Sequence, residues 1–347
     1  MIGTIIEIGL EIYKNKEKIR VAFQPKYLNY DLNKLFSHYI NEEKLLKNIP
    51  YIELVDLSKN KQNIKFSIIK EEFKLDYNNS IAIKSFQTEA LKEFKNKGKF
   101  IYDSKTVRLN KIKYNNGLII LEIQKSKYSD QIQSHLVLDW NNRHLRDIGT
   151  NTLRGILLSK YGNKLPPLNT TLLSNSIGIS VVIYYKKNNL LIPYLPFRNK
   201  SYFNKKKNEP ALYEGIYHCS SSGVLEWDDF KTMYDITEQM YREINEEIGL
   251  EKGDISELKP ISLTRELLRS GKPQIFFFGT TNLSEKELIE KRKLAIIKAT
   301  NKDDKIEIQN KHLPFVNDSE LKRSLISLET IGNLYFCDKY LSNNEIR

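Results

Sequence analysis

The segment Tyr241–Leu250, with the sequence YREINEEIGL, concentrates acidic side chains that could bind a cation. Glu246 and Glu247 lie three and four residues after Glu243, so in a helix the three side chains share an arc about 100° wide. Like charges at this spacing repel one another by a few tenths of a kcal/mol per pair. Carboxylate oxygens suit Mg²⁺ or Mn²⁺, which would cancel the repulsion, and Arg242 could orient one carboxylate. A solvated acidic face without a ligand is the alternative interpretation.

The flanking residues predict one helix that positions these carboxylates. Asp235 can cap the helix, with Glu238 three residues later at the spacing of a capping box. Gly249 lies where a left-handed residue would end the helix. Ile244 and Ile248 belong to an apolar stripe that can face a core. The acidic residues are therefore expected beside the buried face of an amphipathic helix.

The sequence REINEEIGL resembles, residue for residue, the second half of the Nudix box. That pattern is arginine, glutamate, an aliphatic residue, any residue, two glutamates, any residue, glycine and an aliphatic residue. In the family, this helix binds the metal ions of a site that cleaves pyrophosphate linkages. The resemblance implies that Glu243, Glu246 and Glu247 are ligands of Mg²⁺ or Mn²⁺ and that Arg242 orients them.

The first half of the box departs from the family pattern. The family places a glycine, five residues, a glutamate and seven residues before the arginine, and this chain has Asp228 and Tyr234 at those two positions. An alignment that starts at Gly223 puts Asp229 at the glutamate position and needs a five-residue insertion before the helix. Glu226 then lies where many members carry an acidic residue after the glycine. Gly223 and Glu226 are accordingly candidate substrate-binding residues.

Four further residues are candidates for the same site. Glu307 is the candidate for a later glutamate that often assists catalysis in the family, and an ordinary surface carboxylate is the alternative. Arg198, at the end of a predicted strand, could contact a phosphate or form a surface salt bridge. Trp227 could stack on a base or pin its loop to the core. His218 could touch a substrate, although a lone histidine is more often a satisfied strand residue.

The resemblance implies a Mg²⁺-dependent hydrolase that cleaves the pyrophosphate linkage of a nucleoside diphosphate linked to another moiety. Divalent cations would neutralise charge that builds on the phosphate oxygens, and Glu247 or Glu307 would take the proton from water. A catalytically weak Nudix-like sensor that binds a nucleotide is one alternative, because the first half of the box is altered. An isopentenyl diphosphate isomerase, a Nudix relative with a loop cysteine, is another. Cys219 lies near that loop, but a buried small residue is the simpler interpretation.

The chain is expected to contain two domains in the α+β and α/β classes. Residues 1–150 are predicted to form a smaller mixed α+β domain, and residues 151–171 a linker with turn formers and a Pro-Pro pair. The resemblance implies that residues 172–347 form a Nudix-like α/β/α sandwich with a mixed sheet.

Hydrophobic patterning and turn residues predict individual elements in both parts. The N-terminal part should contain a hairpin around Asn115-Asn116-Gly117 and a strand at His135–Trp140. The elements expected in the C-terminal part are two strands in Ile177–Arg198, a strand in Gly271–Leu283, the segment Asp304–Val316 and a closing helix from about Glu329.

The composition of the 347 residues limits the partners and the location of the chain. The net charge of +12, most of it in residues 1–150, could attract a nucleic acid, but lysine is abundant throughout and forms no arginine-rich patch. No apolar run approaches the roughly 20 residues that span a membrane, and no basic leader precedes the apolar N-terminus. Two distant cysteines fit a reducing compartment, which predicts a cytoplasmic location. The resemblance implies a nucleotide-type substrate and allows a homodimer.

Overall fold

The fold is taken from a computed structural model of the chain. It describes residues 32–46, 49–60, 63–76, 80–96, 103–142, 145, 150–188, 190–197, 216–227, 233–298 and 326–344. Within those residues the helices are α1 (Leu32–His38), α2 (Leu57–Asn60), α3 (Ile81–Asn96), α4 (Tyr128–Ile132), α5 (Leu153–Tyr161), α6 (Met233–Ile248), α7 (Glu285–Lys298) and α8 (Leu328–Asn343). The strands are β1 (Tyr51–Asp56), β2 (Ile64–Ile69), β3 (Lys105–Asn115), β4 (Leu118–Lys127), β5 (Gly178–Lys187), β6 (Leu190–Tyr194), β7 (Ser221–Val224), β8 (Ile255–Glu266) and β9 (Lys272–Thr281).

The strands form two mixed sheets. The large sheet has the order β1-β8-β9-β5-β6, and β7 pairs with the first half of β5. In this sheet β5 runs parallel to β9, whereas its pairings with β6 and β7 are antiparallel. The small sheet has the order β2-β4-β3, with β2 parallel and β3 antiparallel to β4. The protein is therefore a mixed α/β structure.

The large sheet is covered by a helix on each face. Successive side chains of a strand point to opposite faces, and β5 and β9 follow this alternation with apolar residues on both sides. Ile179 and Val181 pack in the same cluster as the apolar stripe of α6, whereas Val182 and Phe276 pack against α8. Strands that are apolar on both faces are expected when a sheet is covered on both sides.

Helix α6 forms because its apolar residues recur every three or four positions. Ile236, Met240, Ile244 and Ile248 are all buried against the sheet. Gly249 has a φ of +71°, which confirms the prediction that a left-handed residue follows the helix.

The predicted cap of α6 is wrong. The helix begins at Met233, so Asp235 lies in its first turn instead of at the cap position. A carboxylate in the first turn still interacts favourably with the helix dipole.

None of the described helices is both long and apolar enough to cross a lipid bilayer.

Most of the other predicted elements are confirmed. The hairpin joins β3 to β4 through Asn116 and Gly117, which have φ values of +48° and +78°, as a tight hairpin turn requires. The two strands predicted in Ile177–Arg198 are β5 and β6, and β9 lies within the predicted segment. Helix α8 is the predicted closing helix. Asp304–Val316 lies outside the described residues.

The strand predicted at His135–Trp140 is wrong. These residues form consecutive turns after α4, in which the Val137 N–H donates to the Ser134 carbonyl and the Trp140 N–H donates to the Val137 carbonyl. Val137 and Leu138 pack in a separate core with α3 and α5. Their apolar character therefore reflects burial under two helices and not a place in a sheet.

Strand β1 connects the two parts of the chain that the sequence separates into domains. It pairs antiparallel with β8, from Tyr51 opposite Glu266 to Asp56 opposite Ser262. The large sheet therefore includes one strand, β1, from the predicted N-terminal domain. The domain boundaries at residues 150 and 172 remain a prediction.

A substitution at Gly249 tests whether its conformation and packing fix the end of α6. In Gly249→Ala, the new Cβ would lie 2.6 Å from the Ala295 Cβ and 2.9 Å from the Lys291 carbonyl oxygen, at a positive φ. We expect the free energy of unfolding in urea to fall by about 2 kcal/mol or more. Gly253→Ala is the matched control, because nothing lies within 4 Å of its Cβ position, and it should change stability by less than about 0.5 kcal/mol. Equal losses in the two variants would contradict this account.

Candidate metal site on helix α6 and strand β7

Three polar residues of α6 form a row that faces β7 and the segment after it. Gln239, Glu243 and Glu247 are four residues apart, so they lie on one side of the helix, next to the buried apolar stripe. Each of the three meets a different residue between Ser222 and Glu226. These three side chains therefore line β7 and the segment that follows it.

Glu247 is held by the backbone of β7. Its Oε2 accepts a hydrogen bond of 2.8 Å from the N–H of Ser222. This N–H belongs to a strand residue whose neighbours Ser221 and Gly223 face β5 in the ladder. A hydrogen bond from a backbone N–H to a carboxylate is charge-assisted, so it fixes the position of the Glu247 carboxylate.

Glu243 lies directly over Gly223. A Cβ atom at Gly223 would collide with the carboxylate carbon and both carboxylate oxygens of Glu243. The absence of a side chain therefore creates the space in which this carboxylate rests. Gly223, which the sequence aligns with the glycine of the Nudix box, is placed against a predicted metal ligand.

Gln239 fastens the segment after β7. Its side-chain oxygen accepts a hydrogen bond of 2.9 Å from the Glu226 N–H, and its side-chain nitrogen donates one of 2.8 Å to the Glu226 carbonyl. On the other side of the segment, the Trp227 N–H donates to the Lys105 carbonyl at the start of β3. The segment is thus held between α6 and β3.

The remaining predicted residues of the box are placed differently. Glu246 and Arg242 are exposed, and Glu246 lies about 60° around the helix from Glu243, on the side away from the apolar stripe. Trp227 is half-buried and packs against the core cluster that contains the apolar stripe of α6. This position fits the interpretation that Trp227 pins its loop to the core. Arg198 and Glu307 lie outside the described residues, as do Asp228 and Asp229.

A buried histidine connects this site to α8, on the other face of the sheet. The His218 Nε2 is 3.1 Å from the hydroxyl of Ser222, and its Nδ1 is 2.6 Å from the hydroxyl of Ser327, the residue that caps α8. Glu329, in the first turn of that helix, has a carboxylate oxygen 3.9 Å from the His218 Nε2. Sequence reasoning missed this connection, because no local spacing links His218 to residues so far along the chain.

Charged residues are also buried near the start of β9. Lys272 is only 5% exposed, and burial lowers the pKa of its ammonium to about 8, with a smaller effect from the Arg269 guanidinium. Burial raises the pKa of the Glu266 carboxyl above its usual value. The Lys272 Nζ lies close to Gly178, and a Cβ atom at position 178 would be only 2.5 Å from this nitrogen. These groups lie on the α8 face of the sheet and not beside Glu243.

Cys219 is buried on the α8 face. Its side chain is 2% exposed and lies in the core that α8 covers. The hydroxyl of Thr330 donates to its sulfur over 3.5 Å. This position fits the interpretation of Cys219 as a buried small residue.

Known proteins show little similarity to this chain. No family model matches the sequence, and no curated protein matches it. One matching solved structure is described as the crystal structure of a mutT/nudix family protein from Listeria innocua. It is 18% identical, has a TM-score of 0.31, and the match covers 49% of this chain and 94% of that chain.

The contact between Gly223 and Glu243 can be tested with a double-mutant cycle. Gly223→Ala should weaken Mn²⁺ binding about tenfold or more, because the new Cβ displaces the carboxylate. In a Glu243→Ala background the same substitution should add little further loss, since no carboxylate remains to be displaced. Isothermal titration calorimetry with Mn²⁺ measures both effects. An equal loss in the two backgrounds would mean that Gly223→Ala acts on the strand itself.

Proposed function

We propose that the chain is a Mg²⁺-dependent hydrolase that cleaves the pyrophosphate linkage of a nucleoside diphosphate joined to another moiety. The observation that carries this proposal is the placement of Glu243 and Glu247, which belong to the segment that resembles the Nudix box. Both carboxylates lie on one side of α6 and rest against Gly223 and Ser222 of β7. A solvated acidic face would not need a glycine and a strand N–H to hold its carboxylates.

The residues present fit a hard divalent cation. Mg²⁺ and Mn²⁺ prefer oxygen ligands, and each glutamate offers two carboxylate oxygens. The Ser222 N–H donates to the Glu247 Oε2 and so holds this carboxylate at the strand, where it can serve as an oxygen ligand. The space above Gly223 holds the Glu243 carboxylate at the same strand. Glu246, exposed on the neighbouring side of the helix, would be the third ligand.

The chain's own residues would each have a defined part in the reaction. When bound, the ion would neutralise charge on the phosphate oxygens and lower the pKa of an attacking water. Glu247 or Glu307 would accept the proton of that water. Arg242 would orient a carboxylate of the helix.

Other residues would bind the substrate. Arg198 would contact a phosphate, and Gly223 would let the substrate approach the strand. Glu226 and Trp227 would contact the nucleoside end, where the clamp between Gln239 and Glu226 keeps the segment in place.

A nucleotide-binding sensor without turnover is the second candidate. The specific observation in its favour is Tyr234, which occupies the position of the first box glutamate at the family spacing. A site that lacks one carboxylate would keep the ion and the phosphate but would lose part of its acid–base chemistry.

Turnover by matched glutamate variants tests the proposal. The native chain with Mg²⁺ is assayed against nucleotide sugars, dinucleotide polyphosphates and capped RNA. We expect hydrolysis of one of these classes, and Glu247→Gln should reduce kcat by about 100-fold or more, because a metal ligand and a proton acceptor are lost together. Glu238→Gln is the control, since Glu238 lies on the opposite side of α6 and pairs with Lys252.

The outcomes separate the two candidate functions. Nucleotide binding that depends on Mg²⁺ but gives no product would favour the sensor. A loss in Glu238→Gln as large as that in Glu247→Gln would show that the effect does not come from the row that faces β7.

A further inference from the structure

A second cluster of metal-ligand side chains lies on the other face of the large sheet. His218, Cys219 and Glu329 each place a ligand atom within 4.8 Å of the others. His218 and Cys219 lie three and two residues before β7, and Glu329 lies in the first turn of α8. His218 and Cys219 are 1% and 2% exposed, so this is not an arrangement of surface groups.

We propose that His218, Cys219 and Glu329 bind a Zn²⁺ ion that ties β7 to the start of α8. An imidazole nitrogen, a thiolate sulfur and a carboxylate oxygen form a ligand set that suits Zn²⁺ and does not suit Mg²⁺. This site would be separate from the one on α6, whose described ligands are carboxylates only.

The distances are compatible with a tetrahedral ion after small side-chain movements. Zinc bonds of about 2.0–2.3 Å place neighbouring ligand atoms about 3.3–3.6 Å apart. The His218 Nε2 and the Glu329 Oε2 are already 3.9 Å apart. All the ligand atoms lie within 4.8 Å of one another, so the wider separations would have to shorten by about 1 Å. Glu329 is only partly buried, so its side chain can contribute part of this movement.

The surroundings supply partners that would orient the ligands. The two nitrogens of His218 are hydrogen-bonded to the hydroxyls of Ser222 and Ser327. When one nitrogen binds an ion, the other keeps its serine and so fixes the orientation of the ring, as is usual for histidine ligands. The serine released from the metal-binding nitrogen can rotate its hydroxyl toward the ion or toward a bound water. The hydroxyl of Thr330 donates to the sulfur of Cys219 and would support a thiolate in the same way.

The charges at the cluster balance when a zinc ion binds. The Cys219 thiol would release its proton to solvent as the zinc–sulfur bond forms, so one thiolate and the Glu329 carboxylate would offset the dication. The charge of the buried ion is therefore offset by its own ligands.

A cobalt titration tests the proposal with a matched pair of cysteine variants. The metal-free chain is titrated with Co²⁺ in excess Mg²⁺, which occupies sites that contain only carboxylates. We expect a thiolate-to-cobalt charge-transfer absorption that saturates at one equivalent and disappears when Zn²⁺ is added. Cys219→Ser should abolish this absorption, whereas Cys337→Ser should keep it, because Cys337 is equally buried on the same face but lies outside the cluster.

A third variant keeps the test decisive if Cys219→Ser does not fold. Glu329→Gln changes a partly exposed side chain, and it should raise the Co²⁺ concentration at half-saturation about tenfold or more. The proposal is overturned if the native chain shows no such absorption, if folded Cys219→Ser retains it, or if Glu329→Gln leaves the half-saturation unchanged. The absorption requires a thiolate ligand, which the site on α6 lacks. Its absence would therefore contradict the zinc site without contradicting the proposed hydrolase function.

Discussion

The contact between the Glu243 carboxylate and Gly223 is the constraint on which the candidate site depends. Helix α6 can bring its row of polar side chains close to β7 only because this strand position carries no Cβ. Two glutamates on one side of a helix repel each other, and that cost is a few tenths of a kcal/mol. The Ser222 N–H donates a hydrogen bond to one of the two carboxylates. Strand β7 therefore provides both a hydrogen-bond donor and the space that the two carboxylates of α6 occupy.

The rest of the fold serves to keep β7 and α6 in register. Strand β7 is only four residues long, and it is held by its ladder with β5. Beyond it, the chain is held by Gln239 on one side and by the start of β3 on the other. The apolar stripe of α6 packs on the large sheet, which sets the distance between helix and strand. On the opposite face, His218 joins the same strand to α8 through Ser222 and Ser327.

Local patterns allowed much of this arrangement to be predicted. The end of α6 at Gly249 and the turn at Asn116 and Gly117 follow from residues that tolerate a positive φ. The spacing of Glu243 and Glu247 and the glycine at position 223 were visible in the sequence as well. Periodicity failed at His135–Trp140, where apolar residues are buried by turns packed under helices instead of by a strand.

Contacts between distant segments could not be predicted in the same way. The pairing of β1 with β8 depends on which edge of the large sheet remains open, and no local pattern encodes that edge. The approach of Glu329 to His218 depends on how α8 packs across the sheet. The row that includes Gln239 was missed for another reason, because glutamine at that position belongs to no motif and its role appears only in its contacts with Glu226.

The central claim is that the carboxylates held against β7 bind divalent ions, and anomalous diffraction from crystals grown with Mn²⁺ tests it most directly. The account predicts an anomalous peak within about 2.0–2.4 Å of carboxylate oxygens from both Glu243 and Glu247, beside Ser222 and Gly223. A structure without a peak at this position, or with manganese bound only elsewhere on the chain, would contradict the account.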